Sequence, residues 1–304
     1  MSFNHVAIIG LGLLGGSIGL AVRQYLPETQ TTGFDIDPDV RRRARERQLA
    51  DRVCDTLTDA VEGADLVILC VPVGRMGEVA AEMAPALSPD TVVSDVGSSK
   101  RSVMGALRKA LPDARIIPAH PVAGTEHSGP DAGFANLFQQ RWCIVTPDET
   151  ARDEDTTRLI DFWEALGAMV ETMNLEHHDL VLAVTSHIPH LIAYTIVGTA
   201  SDLEQVTRSE VIKYSAGGFR DFTRIAASDP TMWRDVFLEN KDAVLDALDA
   251  FLTDLALMRE AIKAGDGEMM FDTFSRTRAI RRSIVALGQD DPRPDFGRKD
   301  HDQG

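Results

Sequence analysis

Two polar segments of the chain carry residues that could move a proton. Ser98 lies in the segment Asp95–Lys100, directly after an apolar run, and His120 begins the glycine-rich segment 120–129. An imidazole titrates near neutral pH. His120, directly after a strand, could therefore take the proton of a substrate hydroxyl group while hydride leaves the carbon that bears this hydroxyl group. Taken alone, a histidine before a proline is more often a hydrogen-bonded loop residue, and Ser98 could instead cap a helix. The neighbouring motifs decide between these interpretations.

A glycine-rich turn at Gly10, Gly12 and Gly15 predicts a dinucleotide site. The apolar run His5–Ile9 precedes the turn, a helical pattern follows it, and Asp35 ends the next apolar run. In such a unit Gly10 makes the tight turn, Gly12 lets backbone amides approach the pyrophosphate, and Gly15 lets the helix pack closely on the strand. Asp35 can bond the ribose hydroxyls, and its charge opposes a 2′-phosphate. NAD is therefore favoured over NADP.

Further cofactor contacts are expected at the same edge of the predicted sheet. They are assigned to Leu13, Leu14, Val71, Pro72 and Ser98. The run Arg41–Arg43 is a contrary sign, because three arginines could bind a 2′-phosphate, although a solvated helix face is the more frequent origin of such a run. NADP stays open as the less favoured cofactor.

The second half of the chain adds histidines and arginines that could contact a substrate. The segment Ser186–His190 holds two histidines, preceded by His177 and His178, but the sequence has no HExxH motif and no cysteine nearby, so no metal is expected. Further on, Arg224 could pair bidentately with a substrate carboxylate or form a salt bridge with Asp221. The spacing leaves both roles open.

The periodicity of apolar residues predicts an α/β fold in two parts. Strands are expected at 5–9, 31–35, 66–71, 91–95, 115–118, 143–147 and 169–172, and the helices between them at 14–25, 38–47, 99–111 and 153–166. This alternation predicts a mainly parallel sheet in an N-terminal Rossmann-type dinucleotide-binding domain over residues 1–172. An all-α C-terminal domain is expected over residues 173–288, with a long helix beginning at Asp229-Pro230, and a loose tail over residues 289–304.

Composition limits the partners and the compartment. With 31 basic and 47 acidic residues, the formal charge of −16 opposes binding to nucleic acid or to an anionic membrane surface. Three cysteines without CxxC spacing suggest reduced thiols, and the start of the chain has no basic leader. No stretch of the chain is expected to reach the ~18 consecutive apolar residues that a membrane span needs. These features predict a cytoplasmic protein. The apolar faces of the helical half favour a homodimer through that domain.

Taken together, the motifs of this sequence resemble those of the prephenate/arogenate dehydrogenases of tyrosine biosynthesis. The resemblance extends from about residue 4 to residue 285 and is carried by GLGLLGGS, DVGSSK, HPVAGTEHSG, SHIPH and GGFRDFTRIAASDPTMWRDVFLENK. It implies oxidative decarboxylation of prephenate to 4-hydroxyphenylpyruvate with reduction of NAD, or the corresponding reaction of arogenate that gives tyrosine directly. Aromatisation of the ring would drive either reaction forward.

The resemblance also implies roles for individual residues. His120 would be the base on the ring hydroxyl, Ser98 would assist it, and Arg224 would bind a substrate carboxylate. Other members of the implied substrate pocket are Thr125, Glu126, His190, Gly217, Asp221 and Trp233. Thr125 and Glu126 would line or gate the pocket, and Trp233 would reach across a dimer.

Two other functions are compatible with a nucleotide-binding domain followed by helices. A β-hydroxyacid dehydrogenase shares this architecture, but such enzymes rely on a lysine in the helical half, and Lys213 and Lys241 do not lie beside a glycine-rich turn. A nonenzymatic NAD-sensing module would not need a base, a helper and a carboxylate-binding arginine. Both alternatives are therefore disfavoured.

Overall fold

A computed structural model describes residues 3–125, 127–203 and 217–286 of the chain. The chain forms two compact units, residues 1–247 and residues 248–304. The domain boundary expected after residue 172 falls inside the first unit and stays a prediction. The expected tail at 289–304 lies outside the described residues.

The first unit is built around a parallel sheet of six strands in the order β3-β2-β1-β4-β5-β6. The strands are β1 His5–Ile9, β2 Gln30–Phe34, β3 Arg52–Val53, β4 Leu66–Leu69, β5 Val92–Asp95 and β6 Arg115–Ile116. The chain runs outward from β1 in one direction and then returns to place β4 on the other side of β1. At such a reversal the carboxyl ends of the strands border a crevice, which is where α/β proteins bind ligands.

Helices cover both faces of this sheet. They are α1 Leu13–Tyr25, α2 Pro38–Glu46, α3 Leu57–Val61, α4 Met76–Met83, α5 Arg101–Ala110 and α6 Asp153–Ala165. Strand β1 shows the arrangement clearly, because Ile8 is buried in one apolar core and Ile9 in the other. Apolar residues at successive strand positions are required when both faces of a parallel sheet are covered. The Rossmann-type architecture expected from the sequence is confirmed.

A second, three-stranded sheet was not expected. It consists of β7 Ala119–Pro121, β8 Trp142–Val145 and β9 Met169–Thr172, with β7 antiparallel to β8 and β8 parallel to β9. The expected strands at 143–147 and 169–172 therefore belong to this separate sheet. Strand β7 was not predicted, because three residues that contain a histidine and a proline have no strand periodicity.

Helices dominate the chain after β9. They are α7 Leu175–Leu182, α8 Ile188–Leu203, α9 Gly217–Thr223, α10 Pro230–Glu239, α11 Lys241–Ala264 and α12 Gly267–Ala286. Asp229 caps α10 as expected, since its side chain accepts a hydrogen bond of 2.8 Å from the Met232 amide. The long helix expected from Asp229 onward is instead two helices. Asn240 ends the first, and its buried side chain bonds elsewhere.

Helices α7 and α8 are joined through a π-helical turn, Ala183–His187, into one continuous helical segment. By length and composition alone, the stretch Leu175–Asp202 could cross a membrane, with a mean hydropathy of 1.6 in its most apolar window. This stretch was not expected from the sequence, because charged and polar residues interrupt its apolar run. Buried, hydrogen-bonded His178 and Asp179 lie near its start, and the apolar residues exposed along it include Val184, Ile196 and Val197.

Candidate functional site

The glycine turn after β1 has the backbone geometry that its sequence predicts. Gly10 adopts φ +99°, and a Cβ there would lie 2.6 Å from the carbonyl oxygen of Cys70. A Cβ at Gly15 would overlap the carbonyl oxygen of Gly10, so this glycine permits the close approach of α1 to the turn. Gly12 differs from both, because a Cβ there would meet nothing within 4 Å. Space therefore remains at Gly12, directly before the first residue of α1.

Asp35 lies just beyond the end of β2, beside the glycine turn. Its two carboxylate oxygens accept one backbone hydrogen bond each, from Leu11 at 2.9 Å and from Asp37 at 3.0 Å. These bonds hold the carboxylate at the crevice and leave each oxygen a second lone pair. The position and charge of Asp35 therefore suit a ribose diol and oppose a 2′-phosphate.

The arginine run on α2 is engaged by groups of the protein. Arg41 donates to the carbonyl oxygen of Asp35 at 2.7 Å. Arg42 lies between Asp39 at 2.5 Å and Glu46 at 2.7 Å, and Arg43 pairs with Asp131. These contacts match a helix face whose charges are balanced locally.

The other predicted cofactor residues lie on the two sides of the crevice. Leu13 and Leu14 open α1, and Val71 and Pro72 follow β4. Leu13, Leu14 and Val71 are half-buried and Pro72 is exposed, so all four have surface available. Ser98, in the loop after β5, is also half-buried. It does not cap α5, whose N-cap residue is Lys100.

His120 lies within β7 rather than directly after a strand, where the sequence pattern had predicted it. Its backbone pairs with Ile144 of β8, and its side chain is only 7% exposed. The His120 Nδ1 atom lies 2.9 Å from Nε2 of His178, a residue of α7. Burial, reinforced by the neighbouring His178, Lys100 and His187, whose protonation His120 would have to oppose, holds the pKa of His120 well below its usual value of 6.5. This imidazole is therefore neutral near pH 7 and able to accept a proton.

Behind His120, the chain of hydrogen bonds continues to Asp179 and the start of α5. The His178 Nδ1 atom lies 2.9 Å from Oδ1 of Asp179. The same carboxylate accepts the backbone N–H groups of Lys100 at 2.7 Å and Arg101 at 3.0 Å. Asp179 thus supplies from another helix the cap that α5 lacks in its own sequence, and the helix N-terminus favours its negative charge.

A fully buried ion pair, Lys100 with Asp95, lies below this chain. The Lys100 ammonium also donates to the carbonyl oxygen of Ala119 at 2.7 Å, which fixes the strand residue before His120. Burial raises the pKa of Asp95 and lowers that of Lys100, and the attraction between the two charges opposes both shifts. The DVGSSK segment therefore supports β7 from beneath as well as contributing Ser98.

His187, His190 and Trp233 form an aromatic group on the helical side of the site. The ring of His190 stacks on Trp233 with centroids 3.7 Å apart, and the ring of His187 lies edge-on to Trp233 at 6.0 Å. Nδ1 of His190 bonds the carbonyl oxygen of Ser186 at 2.8 Å, which leaves Nε2 to accept a bond from a ligand. Trp233 is 6% exposed, so its ring packs largely within the protomer, and its reach across a dimer stays a prediction.

Asn240 links this aromatic group to the acidic end of the hydrogen-bond chain. Its Nδ2 atom donates to the carbonyl oxygen of Asp179 at 2.9 Å and lies 3.1 Å from Nδ1 of His187. Burial lowers the pKa of His187 to about 4, and the negative charge of Asp179 is the main opposing influence, with a smaller one from the Ser98 backbone. His187 therefore joins the π-helical turn to Asn240 at the end of α10.

The remaining predicted residues lie on α9 and in the loop after β7. Gly217 begins α9, and Asp221 pairs with Arg220 at 3.4 Å. Arg224 is exposed at the start of a 3₁₀ turn. Burial lowers the pKa of His190 and the charge of Arg224 adds to that shift, so the two side chains lie in the same region. Thr125 is exposed and accepts the His127 amide at 3.2 Å. Glu126 lies outside the described residues.

The site thus contains residues that were not predicted from the sequence. His178 was considered only as one of several histidines that could bind metal, and Asp179, Asn240, Asp95 and Lys100 were not assigned functions. In residues 3–125, 127–203 and 217–286, no group of three or more His, Cys, Asp or Glu is placed to hold a metal ion. The signal available in the sequence was the His-Asp pair at 178–179. It could not be used, because its partners lie 58 and 79 positions away.

Two family models match this chain. Residues 18–172 match the nucleotide-binding domain of prephenate dehydrogenase, and residues 174–276 match the dimerization domain of prephenate dehydrogenase. The first match covers the strands and helices that border the crevice, except for β1 and the glycine turn. The second covers the histidines of α7 and α8, the predicted substrate residues of α9 and α10, all of α11 and the first half of α12.

Similar proteins span nearly the whole chain. A cyclohexadienyl dehydrogenase from Zymomonas mobilis is 48% identical over 93% of this chain and 96% of its own length. A prephenate dehydrogenase from Bacillus subtilis is 32% identical over 92% of this chain and 76% of its own length. The crystal structure of prephenate dehydrogenase from A. aeolicus in complex with hydroxyphenyl propionate and NAD+ is 34% identical, with a TM-score of 0.86 over 93% of this chain and 99% of that one.

Proposed function

Since the chain belongs to the prephenate dehydrogenase family, we propose that it oxidises and decarboxylates prephenate to 4-hydroxyphenylpyruvate with reduction of NAD+. The observation that carries this proposal is the state of His120. It is a buried, neutral imidazole, hydrogen-bonded at Nδ1. A base of this kind at the second sheet, above the Ser98 loop, is what removal of a hydroxyl proton requires.

In the proposed reaction, His120 takes a proton from the substrate and later returns it to the product. As hydride passes from the hydroxyl-bearing ring carbon to the cofactor, Nε2 of His120 takes the proton of the hydroxyl group. The bond between the ring and its carboxylate then breaks, CO2 leaves, and the bonding electrons make the ring aromatic. The ring oxygen becomes a phenolate, which recovers the proton from His120. One hydride leaves and no proton is lost, so the site needs no exit path for a proton.

Other side chains would bind and orient the substrate. Arg224 suits a carboxylate, because a guanidinium presents two parallel N–H donors. Its position near His190 supports a pocket in which both contact the same ligand. Ser98 lies in the loop between the cofactor crevice and His187, where its hydroxyl group would bond the substrate hydroxyl. Thr125, Glu126, Gly217, Asp221 and Trp233 complete the proposed pocket.

NAD fits the residues of the crevice. Gly12 leaves space before α1, the α1 N-terminus favours phosphate, and Asp35 suits an unmodified ribose. The cofactor would accept the hydride. The A. aeolicus relative was crystallised with NAD+ together with a hydroxyphenyl compound, which supports both halves of the proposed site.

Arogenate is the second candidate substrate, either alone or together with prephenate. The Z. mobilis protein is named for cyclohexadienyl substrates in general, and its similarity to this chain favours dual use. Arogenate differs from prephenate only in carrying an amino group in place of the side-chain ketone. The contacts proposed for His120 and Arg224 serve either molecule.

The test is a comparison of initial rates with each substrate and each cofactor. Purified protein is mixed with prephenate or arogenate and with NAD+ or NADP+, and the absorbance of the reduced nicotinamide is followed. We expect the highest kcat/KM with prephenate and NAD+. A higher kcat/KM with arogenate would make arogenate the preferred substrate. If neither substrate led to reduction of the nicotinamide cofactor, the enzyme assignment would be refuted.

A homodimer is part of the proposal. The match to a dimerization domain supports it, as do the exposed apolar side chains of α8 and of the last two helices, which include Ile196, Val197, Leu252, Phe271 and Phe274. Light scattering on the eluted protein should give twice the 33.2 kDa mass of the chain. A monomeric mass at micromolar concentration would contradict it. A cytoplasmic location is proposed too, supported by three free cysteines, the usual state in a reducing compartment.

A further inference from the structure

We propose that His178 and Asp179 are positioning residues that fix the tautomer of His120, so that its Nε2 atom always faces the substrate as a proton acceptor. This inference rests on the proposed function, since it explains how the base of that reaction is kept ready. It is carried by the two hydrogen bonds that join the three side chains, each 2.9 Å long.

The order of donors and acceptors begins at Asp179. Its carboxylate receives the Lys100 and Arg101 amides as well as His178. These bonds favour the ionised form, and the pKa of Asp179 is lowered despite its burial. An ionised carboxylate has no hydrogen to donate. The hydrogen in its bond with His178 must therefore sit on Nδ1 of the histidine.

The direction of the second hydrogen bond follows because a neutral imidazole has one nitrogen that donates and one that accepts. With hydrogen on Nδ1, His178 has only a lone pair at Nε2, and burial lowers its pKa so that it stays neutral. The bond to His120 must then be donated by Nδ1 of His120. A neutral His120 with hydrogen on Nδ1 has its lone pair on Nε2, which is the atom that the reaction needs as base.

Burial makes this order strict. His178 is 0% exposed and Asp179 4% exposed, so the two residues satisfy each other rather than exchanging partners with bulk water. The charged groups facing the chain from other elements are Lys100 and Asp95, which neutralise each other in a buried pair. Reversing the hydrogen bonds would require a protonated Asp179 opposite two backbone N–H donors, and the Lys100 amide would then face a hydroxyl oxygen, which is a weaker acceptor than a carboxylate oxygen.

The same chain would stabilise the imidazolium formed during hydride transfer. Once Nε2 of His120 holds the substrate proton, its positive charge is shared through His178 with the anionic Asp179. Since the proton returns to the ring oxygen at the end of the reaction, the chain needs no route to solvent. Its complete burial suits a positioning device of this kind.

The test compares two substitutions of His178 that a packing role and a positioning role rank in opposite order. His178→Phe keeps an aromatic ring of similar size and removes both hydrogen bonds. His178→Gln loses the ring, but its amide oxygen can still accept the Nδ1–H of His120. The exposed neighbour provides matched controls, His177→Phe and His177→Gln.

For His178→Phe we expect kcat to fall roughly 100- to 10,000-fold, since general base catalysis contributes about that range and neutralising the orienting group of a catalytic histidine reaches its upper end. KM should change much less. For His178→Gln we expect kcat within about tenfold of the starting protein. Both His177 variants should have the kcat of the starting protein. A kcat for His178→Phe equal to or above that of His178→Gln would overturn the proposal.

A second measurement does not depend on turnover. Long-range ¹⁵N–¹H NMR of histidine-labelled protein reports which ring nitrogen of each imidazole carries hydrogen. We expect His120 to be the Nδ1–H tautomer in the free protein and a mixture of tautomers in His178→Phe. An Nε2–H tautomer in the unsubstituted protein would overturn the proposal even if the enzyme is active. An Nδ1–H tautomer without activity on either substrate would refute the proposed function and leave the tautomer assignment supported.

Discussion

At the scale of single residues, the properties of the proposed base come from its surroundings. A histidine in water is partly protonated near neutral pH, whereas His120 is buried beside other histidines and Lys100, so its pKa is lowered and it stays neutral. Neutrality alone does not make a base of the correct nitrogen. The bond from Nδ1 to His178 adds the orientation, and the bond from Lys100 to the Ala119 carbonyl fixes the backbone.

His120→Asn tests the base. The Asn amide can occupy the position of Nδ1 and donate to His178, so the fold should persist, but no proton acceptor faces the substrate. We expect kcat to fall roughly 100- to 10,000-fold with an unchanged circular dichroism spectrum and unchanged NAD+ affinity. A variant with full kcat would remove His120 from the proposed role.

Arg224→Ala tests the carboxylate contact. A hydrogen bond to a charged group contributes about 1.5 to 3 kcal/mol, so we expect kcat/KM for prephenate to fall roughly 10- to 160-fold, mostly through KM. Arg220→Ala is the matched control, because Arg220 is an exposed arginine on the preceding helical turn and pairs with Asp221. Equal effects of the two substitutions on KM would show that general positive charge, rather than Arg224, binds the carboxylate.

At the scale of elements, the site depends on close approaches that only certain residues allow. The turn between β1 and α1 brings the helix against the carbonyl oxygen of Gly10, which leaves no room for a Cβ at Gly15. On the other side of the site, Asp179 of α7 caps α5, and this bond joins the helical half to the DVGSSK segment. His178 of α7 is thereby held against β7.

The glycine turn predicts opposite outcomes for two similar substitutions. Gly15→Ala should lower the thermal unfolding midpoint, because α1 must move away from the Gly10 carbonyl. Gly12→Ala should leave that midpoint nearly unchanged, since its Cβ enters open space and its φ is −77°, but it should weaken NAD+ binding by filling the space left for the pyrophosphate. Calorimetry measures both quantities, and a Gly12→Ala variant that binds NAD+ normally would contradict the proposed cofactor position.

At the scale of the whole molecule, burial of several neutral histidines links folding to pH. Burial lowers the pKa of His120, His178, His187 and His190 in the folded protein. An unfolded chain takes up protons at these residues near pH 6.5. The folded chain takes them up only at lower pH. The unfolded state thus holds more protons between these values, and the free energy of unfolding decreases as the pH falls.

His187 gives this linkage a defined window. Its pKa falls from 6.5 to about 4 on folding, so its contribution is complete above pH 6.5 and is lost as the pH falls to about 4. At about 1.4 kcal/mol per pH unit, the loss is on the order of 3 kcal/mol. Urea unfolding of His187→Gln should therefore show a shallower decrease between these pH values than the starting protein. His177→Gln, at an exposed histidine, should keep the original slope, and parallel slopes in all three proteins would contradict the prediction.

The sequence predicted most of the strands and helices of the first half to within a few residues, because repeated apolar positions have a local origin. It did not predict β7 or the second sheet. A strand of three residues is too short to show an alternating pattern, and the partner of His120 in that sheet, Ile144, is distant in the chain. The break at Asn240 was missed for a related reason. The apolar periodicity continues across it, and only the contacts of its side chain with Asp179 and His187 reveal it.

The amino-acid sequence by itself determined the nucleotide-binding turn, the fold class and the family, since these depend on residue types at short, regular spacings. Ser98, His120 and Arg224 could also be selected from local motifs, and their roles remain predictions. Only the tertiary structure decided which groups surround His120. The hydrogen bonds to His178, Asp179 and α5 join residues 58 and 79 positions apart. Their strength comes from exclusion of water, which no local pattern encodes.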